Sequence, residues 1–98
     1  MEINAKLTRI IRRRTIALVS KEEGLVVIVF NDHSRMRVKV AGGPTVNMLG
    51  EGKIESAAEE GAELTLVSED GRMAILQVAA PGSSVTVTDK NGHVEYAG

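Results

Sequence analysis

Histidines and the acids beside them are the residues of this chain that could support catalysis. His33 and His93 both lie in segments rich in Asn, Asp and Gly, a composition typical of turns. Asp32-His33-Ser34 contains the residue types of a hydrolytic triad, but three consecutive residues cannot converge on one substrate atom. An Asx turn at Asn31 or Asp32 explains the same residues. We therefore predict no catalytic residue.

Carboxylate pairs and one glycine-rich stretch are weaker indications of catalysis or of cofactor binding. Glu59-Glu60 and Glu69-Asp70 are interpreted as solvated acids beside turns rather than as a general acid and base. Gly50-Glu51-Gly52 is followed by Glu55 where a dinucleotide fingerprint needs a third glycine. Cysteine is absent and the histidines lack ligand spacing. The sequence predicts neither a metal nor a cofactor, and an enzyme is the weaker hypothesis.

Basic residues are concentrated in the first half of the chain. Residues 1–49 contain nine Lys or Arg and four acids, whereas residues 50–98 contain three and nine. The net charge of −1 and the two aromatic residues, Phe30 and Tyr96, argue against nucleic-acid binding. A basic stripe instead predicts contact with an anionic small molecule or an acidic protein surface. Its residues are Arg9, Arg12, Arg13, Arg14, Arg35, Arg37 and Lys39.

Two short motifs within residues 9–37 resemble a known ligand-binding pair. Arg9-x-x-x-Arg13 followed by Asp32-x-Ser34 resembles the paired motif of PilZ domains, with Arg37 standing where that family has glycine. The resemblance implies a small β-barrel that acts as a receptor for cyclic di-GMP, and arginine suits both phosphate contact and stacking on a purine. The ligand contacts that it implies are Arg9, Arg13, Asp32 and Ser34.

Short β-branched runs between turns predict the elements that position these side chains. Turn residues separate the runs roughly every 8–12 positions, which is typical of a small all-β domain. Asn91-Gly92 is the strongest hairpin signal, because a type I′ turn needs two positive φ angles. The predicted strands are 15–20, 25–30, 35–41, 62–68, 72–79, 83–88 and 93–97.

We predict an all-β fold, a small antiparallel barrel or sandwich of about eight strands built from consecutive hairpins. Two segments are ambiguous. Residues 1–14 place Ile3, Leu7, Ile10 and Ile11 at helical spacing but also show period-two alternation. We favour a strand, because the neighbouring segments are strands. Residues 51–60 place Ile54, Ala57 and Ala58 ahead of Gly61, which predicts a short helix at about 52–60.

Side-chain alternation assigns the faces of the predicted strands. It directs Arg35, Arg37 and Lys39 outward, because Met36, Val38 and Val40 are expected in the core. Strand 25–30 is apolar on both faces and needs cover on both. Either the helix at 51–60 or a second copy of the chain could supply this cover, and we favour the second copy. The predicted interface residues are Val26, Ile28 and Phe30.

A faint internal repeat underlies that choice of face. Residues 16–24 resemble residues 64–71. Continued along the chain, this alignment makes Val26, Ile28 and Phe30 the counterparts of a partly polar strand face. Convergent turn chemistry explains the same likeness. We predict one domain over residues 1–98, possessing two hairpin-rich halves, 1–49 and 50–98, if the repeat is genuine.

Composition completes the functional prediction. No apolar run reaches about 18 residues, the start of the chain lacks the order of a signal peptide, and cysteine is absent. We therefore expect a cytoplasmic protein without membrane contact. The favoured function is a non-catalytic binding or assembly module, a homodimer or higher homo-oligomer that presents its basic stripe to an anionic partner. The alternatives are a PilZ-like receptor and a small β-barrel enzyme.

Overall fold

Strands dominate the computed structural model, which describes residues 2–41 and 52–98. About 57% of it is strand and 8% is helix, which confirms the all-β prediction. The elements are β1 (Glu2–Ile3), α1 (Ala5–Ile11), β2 (Ile16–Glu22), β3 (Leu25–Phe30), β4 (Arg35–Lys39), β5 (Ile54–Glu60), β6 (Glu63–Ser68), β7 (Met73–Gln77), β8 (Val85–Thr88) and β9 (Val94–Ala97).

The described strands form two antiparallel sheets. The strand order is β1-β5-β6-β7 in one sheet and β2-β3-β4-β8-β9 in the other. The predicted hairpins are present as β2-β3-β4, β6-β7 and β8-β9. The chain changes sheet between β1 and β2, between β4 and β5, and again between β7 and β8. The arrangement is sandwich-like and does not close into a barrel.

One hydrophobic core joins both sheets and the helix. Alternation along the strands fills it, because successive side chains point to opposite faces. The inward residues predicted from parity are buried: Met36, Val38, Val40, Leu64, Leu66, Val85 and Val87. The same rule leaves Arg35, Arg37 and Lys39 on the outer face of β4, as predicted.

Strand β3 has the opposite orientation to the one predicted. Val26, Ile28 and Phe30 are buried in the core, with 1%, 3% and 1% of their surface exposed. The prediction that they form an exposed interface is therefore wrong. Val26 and Ile28 lie directly opposite buried residues of β4, and directly opposed residues share a face. The outer apolar side chains of β3 are instead Leu25, Val27 and Val29, which are half-buried.

Residues 5–11 form a helix, which corrects the favoured strand. Asn4 begins α1, and its side chain accepts a hydrogen bond from the Leu7 amide at 3.0 Å, a strong N-terminal cap. Leu7 and Ile11 are both fully buried, because residues four apart share one helix face. Only β1, two residues long, keeps the strand conformation ahead of the helix.

Strand β5 occupies the segment predicted as a helix. Its register with β6 shifts between Ile54 and Ser56, which is the signature of a β-bulge. The bulge inserts one extra residue, so Ile54 and Ala57 both reach the core although they are three positions apart. This spacing imitates a helix. Gly61, expected as a helix cap, lies in the turn between β5 and β6 instead.

An approximate two-fold axis relates the units β2-β3-β4 and β5-β6-β7. Equivalent residues are 38 positions apart (54 minus 16), because β2 and β5 carry the same bulge at the same place. Equivalent residues also pair with each other, Thr15 with Lys53 and Val40 with Val78. Pairing between equivalents is the property of a two-fold axis.

Reciprocal backbone hydrogen bonds confirm the axis. The Ile16 amide donates to Gly52 at 3.1 Å and the Ile54 amide donates to Arg14 at 3.0 Å. The offset of 38 positions (54 minus 16) is not the offset of the predicted repeat. At 38 positions, residues 64–71 correspond to 26–33 rather than to 16–24. That likeness therefore comes from turn chemistry, one of the two explanations that the sequence left open.

Candidate anion-binding site

The β3–β4 turn brings the Asp32-x-Ser34 motif into a defined shape. Asp32 Oδ1 accepts hydrogen bonds from both the amide and the hydroxyl of Ser34, which is the predicted Asx geometry. His33 has a φ of 69°, in the left-handed region that few residues other than glycine adopt. The turn thereby holds the Ser34 side chain inward and exposes the His33 side chain.

The carboxylate of Asp32 is stabilised in its charged form. Partial burial acts to raise the pKa of Asp32, but the two hydrogen bonds from Ser34 and the charge of Arg14 outweigh it and lower the pKa. The Arg14 Nε atom lies 3.7 Å from Asp32 Oδ2. The motif is therefore already occupied by partners within the chain.

Arg14 links the start of β2 to two other parts of the five-stranded sheet. Its guanidinium donates two hydrogen bonds to the Glu95 carboxylate, both at 2.9 Å. This bidentate geometry is the strongest that an arginine makes with a carboxylate. Arg14, rather than Arg9 or Arg13, is therefore the arginine that contacts the Asp32 turn.

An open groove of about 460 Å³ lies between the β3–β4 and β8–β9 turns. Its cations come from β4, which supplies two arginines, and from the β8–β9 turn, which supplies a lysine. Arg37 Nη1 lies 3.5 Å from Thr88 Oγ1 across the groove. The residues that line it are His33, Arg35, Arg37, Thr88, Asp89, Lys90 and Gly92.

Asp89 is the acid of this groove, and its carboxylate points back into its own turn. Its Oδ1 accepts hydrogen bonds from the amides of Asn91 and His93, each at 2.9 Å. The His93 amide, followed by the Asn91 amide and the His93 side chain, lowers the pKa of Asp89 against a smaller effect of burial. Across the described ranges, Arg35, Arg37 and Lys90 form no ion pair with a carboxylate.

The outer surface of the five-stranded sheet extends from this groove. Cross-strand pairing sets Val29 beside Arg35, Val27 beside Arg37 and Leu25 beside Lys39. Leu18, which pairs with Val29, is 60% exposed. We call this surface the basic face; its residues are Leu18, Ser20, Glu22, Leu25, Val27, Val29, Arg35, Arg37, Lys39, Thr86 and Thr88.

The predicted site residues thus fall into three groups. Arg35 and Arg37 line the groove, while Lys39 lies at the opposite end of β4. Asp32 and Ser34 bond to each other beside the groove. Arg9 and Arg13 do not line it. Sequence reasoning missed Thr88 and Lys90, because only the pairing of β4 with β8 brings them to Arg35 and Arg37.

The histidines do not join a carboxylate in an enclosed pocket. His93 Nδ1 lies 3.4 Å from Asp89 Oδ2, but the His93 side chain is 81% exposed. In residues 2–41 and 52–98, no group of three His, Cys, Asp or Glu residues has the geometry to hold a metal ion. Over the same residues, no helix has the length and apolar character that crossing a membrane requires.

No protein-family model, curated protein or solved structure matches this chain. The resemblance to PilZ domains therefore depends on the two short motifs alone. The closed barrel that it implied is replaced by two open sheets.

Proposed function

We propose that the protein is a cytoplasmic, non-catalytic binding module whose groove between the β3–β4 and β8–β9 turns takes an anionic group. The observation that carries the proposal is the convergence of Arg35, Arg37 and Lys90 on one open groove. The carboxylate of Asp89 is held by its own turn. An anion that enters the groove would therefore supply the negative charge that pairs with these three cations.

The chemistry of the groove favours phosphate or carboxylate oxygens. Arg35 and Arg37 alternate along one strand and share a face, so both guanidinium groups reach the same side of the sheet. A guanidinium presents a rigid fork of donors that matches phosphate geometry. Thr88 adds a hydroxyl beside Arg37 at 3.5 Å. The groove can therefore surround a small dianion on two sides and leave it open to solvent.

Calorimetric titration of the full chain with inorganic pyrophosphate tests the proposal. We expect saturable binding that weakens with added salt, because exposed charges are screened. Arg37→Ala should weaken the affinity about tenfold, the effect of losing about 1.4 kcal/mol of contact energy. Arg12→Ala removes the same charge from an exposed position outside the groove and should leave the affinity unchanged. Equal loss in both variants would show general charge attraction instead of a site.

A cyclic dinucleotide receptor is the second candidate. The observation that favours it is that His33, the central residue of the Asp32-x-Ser34 motif, lines the groove. Titration with cyclic di-GMP separates the two functions. A receptor would bind it far more tightly than pyrophosphate and would lose affinity in Arg9→Ala and Arg13→Ala. Equal affinities for both ligands, with no effect of those two substitutions, would support the simple anion site.

A further inference from the structure

Strand β7 is the last described strand of its sheet, and one of its edges is open. Backbone groups of an antiparallel strand point alternately to its two sides. The Val78 amide donates to Ala62 at 2.7 Å, so the residues at positions 74 and 76 of β7 also bond to β6. The amides and carbonyls of Met73 and Ile75 therefore point away from β6. Among residues 2–41 and 52–98, no strand pairs with them on that side.

The internal two-fold axis shows that such an edge accepts a strand. β4 is the counterpart of β7, and Arg35 and Arg37 are equivalent to Met73 and Ile75, 38 positions later (73 minus 35). The edge of β4 that corresponds to the open edge of β7 is filled, because β8 pairs with Arg35 and Arg37 there. The same framework therefore holds a strand at one of two equivalent edges, and the described residues leave the other edge without one.

β7 lacks the features that keep the other described edge strands from pairing. Charged side chains, bulges and short lengths all hinder pairing at a sheet edge. β1 has two residues, β2 ends at Lys21 and Glu22 and has a bulge, and β9 contains Glu95 and a shifted register with β8. β7 has no charged residue and an unbroken register with β6. Its Met73 and Ile75 side chains are 48% and 37% exposed, so this described edge is the one suited to pairing.

One register suits a second copy of the same edge. The Ala41 amide donates to the Gln77 carbonyl at 2.9 Å, so the open part of the edge ends before Gln77. A two-fold axis at Ala74 keeps two antiparallel copies of β7 within this open part and sets Met73 opposite Ile75 of the second copy. Both residues point their backbone groups to the edge, so each Met73–Ile75 pair exchanges its backbone hydrogen bonds in both directions. Each exposed methionine side chain also covers an exposed isoleucine.

We propose that β7 pairs antiparallel with β7 of a second copy of this chain and joins the two four-stranded sheets into one. The second copy is the occupant because the strand complements itself: it has no charge that would repel its copy, and the register that fits the open edge matches Met73 with Ile75 on both sides of the axis. The homodimer that the sequence predicted would then form through β7 instead of β3. No residue that lines the anion-binding groove lies on β7, so this pairing goes beyond the proposed function. One strand edge covers less than the ~800 Å² per partner of a standard interface, so the dimer should dissociate on dilution.

Analytical ultracentrifugation tests the pairing. At about 100 μM the wild type should have twice the monomer mass of 10.5 kDa, and this mass should be the same at about 50 and 500 mM salt, because the paired residues carry no charge. Ile75→Lys places a charge at the edge and should give a monomer. Leu18→Lys makes a matched change on the edge strand β2, where Leu18 is 60% exposed, and should remain dimeric. Circular dichroism checks that both variants fold.

Cysteine substitutions test the register, since the chain has no cysteine of its own. Ala74 lies opposite Ala74 of the second copy, with about 4.5 Å between the Cα atoms of such a pair, a distance that a disulfide spans. Ala74 is 3% exposed and Met73 is 48% exposed, so random collisions would cross-link Met73→Cys faster. The proposed register predicts the opposite order under mild oxidation, with Ala74→Cys the faster to form a disulfide-linked dimer.

Hydrogen exchange completes the test. The amides of Met73 and Ile75 should be protected at about 100 μM and should exchange freely on dilution, because the second copy is then lost. Protection that does not change on dilution would show that another part of the same chain fills the edge, and it would overturn the inference. A monomeric wild type at the higher concentration, a dimer that Ile75→Lys leaves intact, or faster cross-linking through Met73→Cys would each overturn it as well.

Discussion

Replacing Thr65 with valine should stabilise the protein. Thr65 lies on the central strand β6 with 1% of its surface exposed, and its hydroxyl has no hydrogen-bond partner among the described residues. A buried hydroxyl without a partner costs about 1–3 kcal/mol. Valine has nearly the same shape, lacks the polar group and favours strands. We therefore expect Thr65→Val to raise the free energy of unfolding by about 1–2 kcal/mol.

The two-fold axis supplies a matched control for this substitution. Val27 is the residue equivalent to Thr65, 38 positions earlier (65 minus 27), and it shows that valine fits this place in the sheet. It is only half-buried, so a hydroxyl at position 27 can reach water. Val27→Thr should therefore cost less than about 1 kcal/mol.

Thermal and urea unfolding followed by circular dichroism measure both effects. A gain of about 1 kcal/mol in a domain of this size raises Tm by about 4–8 °C. An unchanged or lower Tm for Thr65→Val would refute the reasoning, because it would show that the Thr65 hydroxyl is satisfied. A loss in Val27→Thr as large as the gain in Thr65→Val would attribute the effect to strand propensity instead.

Three further predictions concern the turns and the helix. His33→Gly should stabilise by about 0.5–1 kcal/mol and Gly71→His should destabilise as much in the same melts, because both positions have positive φ. Asn4→Ala should lower stability by about 1–2 kcal/mol in urea unfolding, since the side chain caps α1 and also donates to the Tyr96 hydroxyl. Hydrogen bonds from Ser68, and then from Arg72, hold the pKa of Asp70 below its ordinary 3.8. The contribution of the Asp70 carboxylate to the free energy of unfolding is therefore complete above that pH and is lost on acidification below it. Asp70→Asn should make the free energy of unfolding depend less on pH in acid. An unaltered pH dependence would contradict this.

Strand alternation and turn chemistry made most of the fold predictable. The sequence Arg35-Met36-Arg37-Val38-Lys39 alternates without interruption, and the structure follows it residue by residue. The hairpins at Asp32 and Asn91-Gly92 lie where their turn residues indicated. These signals are local, because each depends only on residues that are adjacent in the chain.

The errors arose where a local pattern had two readings. The bulge after Ile54 gave a strand the spacing of a helix, and Asn4 capped a helix that alternation could not exclude. Strand β3 is apolar on both faces, so its parity alone could not say which face is inward. Only the pairing of Ile28 with Met36 decides it.

The sequence predicted only part of the candidate site. The arginines of β4 were predictable because they share one strand face. Thr88 and Lys90 join them through the pairing of β4 with β8, a contact between residues about fifty positions apart that no local pattern encodes. The two-fold axis was hidden for a related reason: only six of the 27 residues in 15–41 are identical to their counterparts in 53–79.

Covalent linkage gives this two-fold arrangement a freedom that a symmetric homodimer lacks. If each three-stranded unit were a separate chain paired with its identical copy, every substitution would occur on both outer surfaces at once. A cation gained on one surface would also be gained on the other, and the two surfaces could never acquire opposite charge. Joining the units in one chain makes each position independently variable. Arginine at position 37 and isoleucine at position 75 show two such positions that have taken different chemical characters on one shared framework.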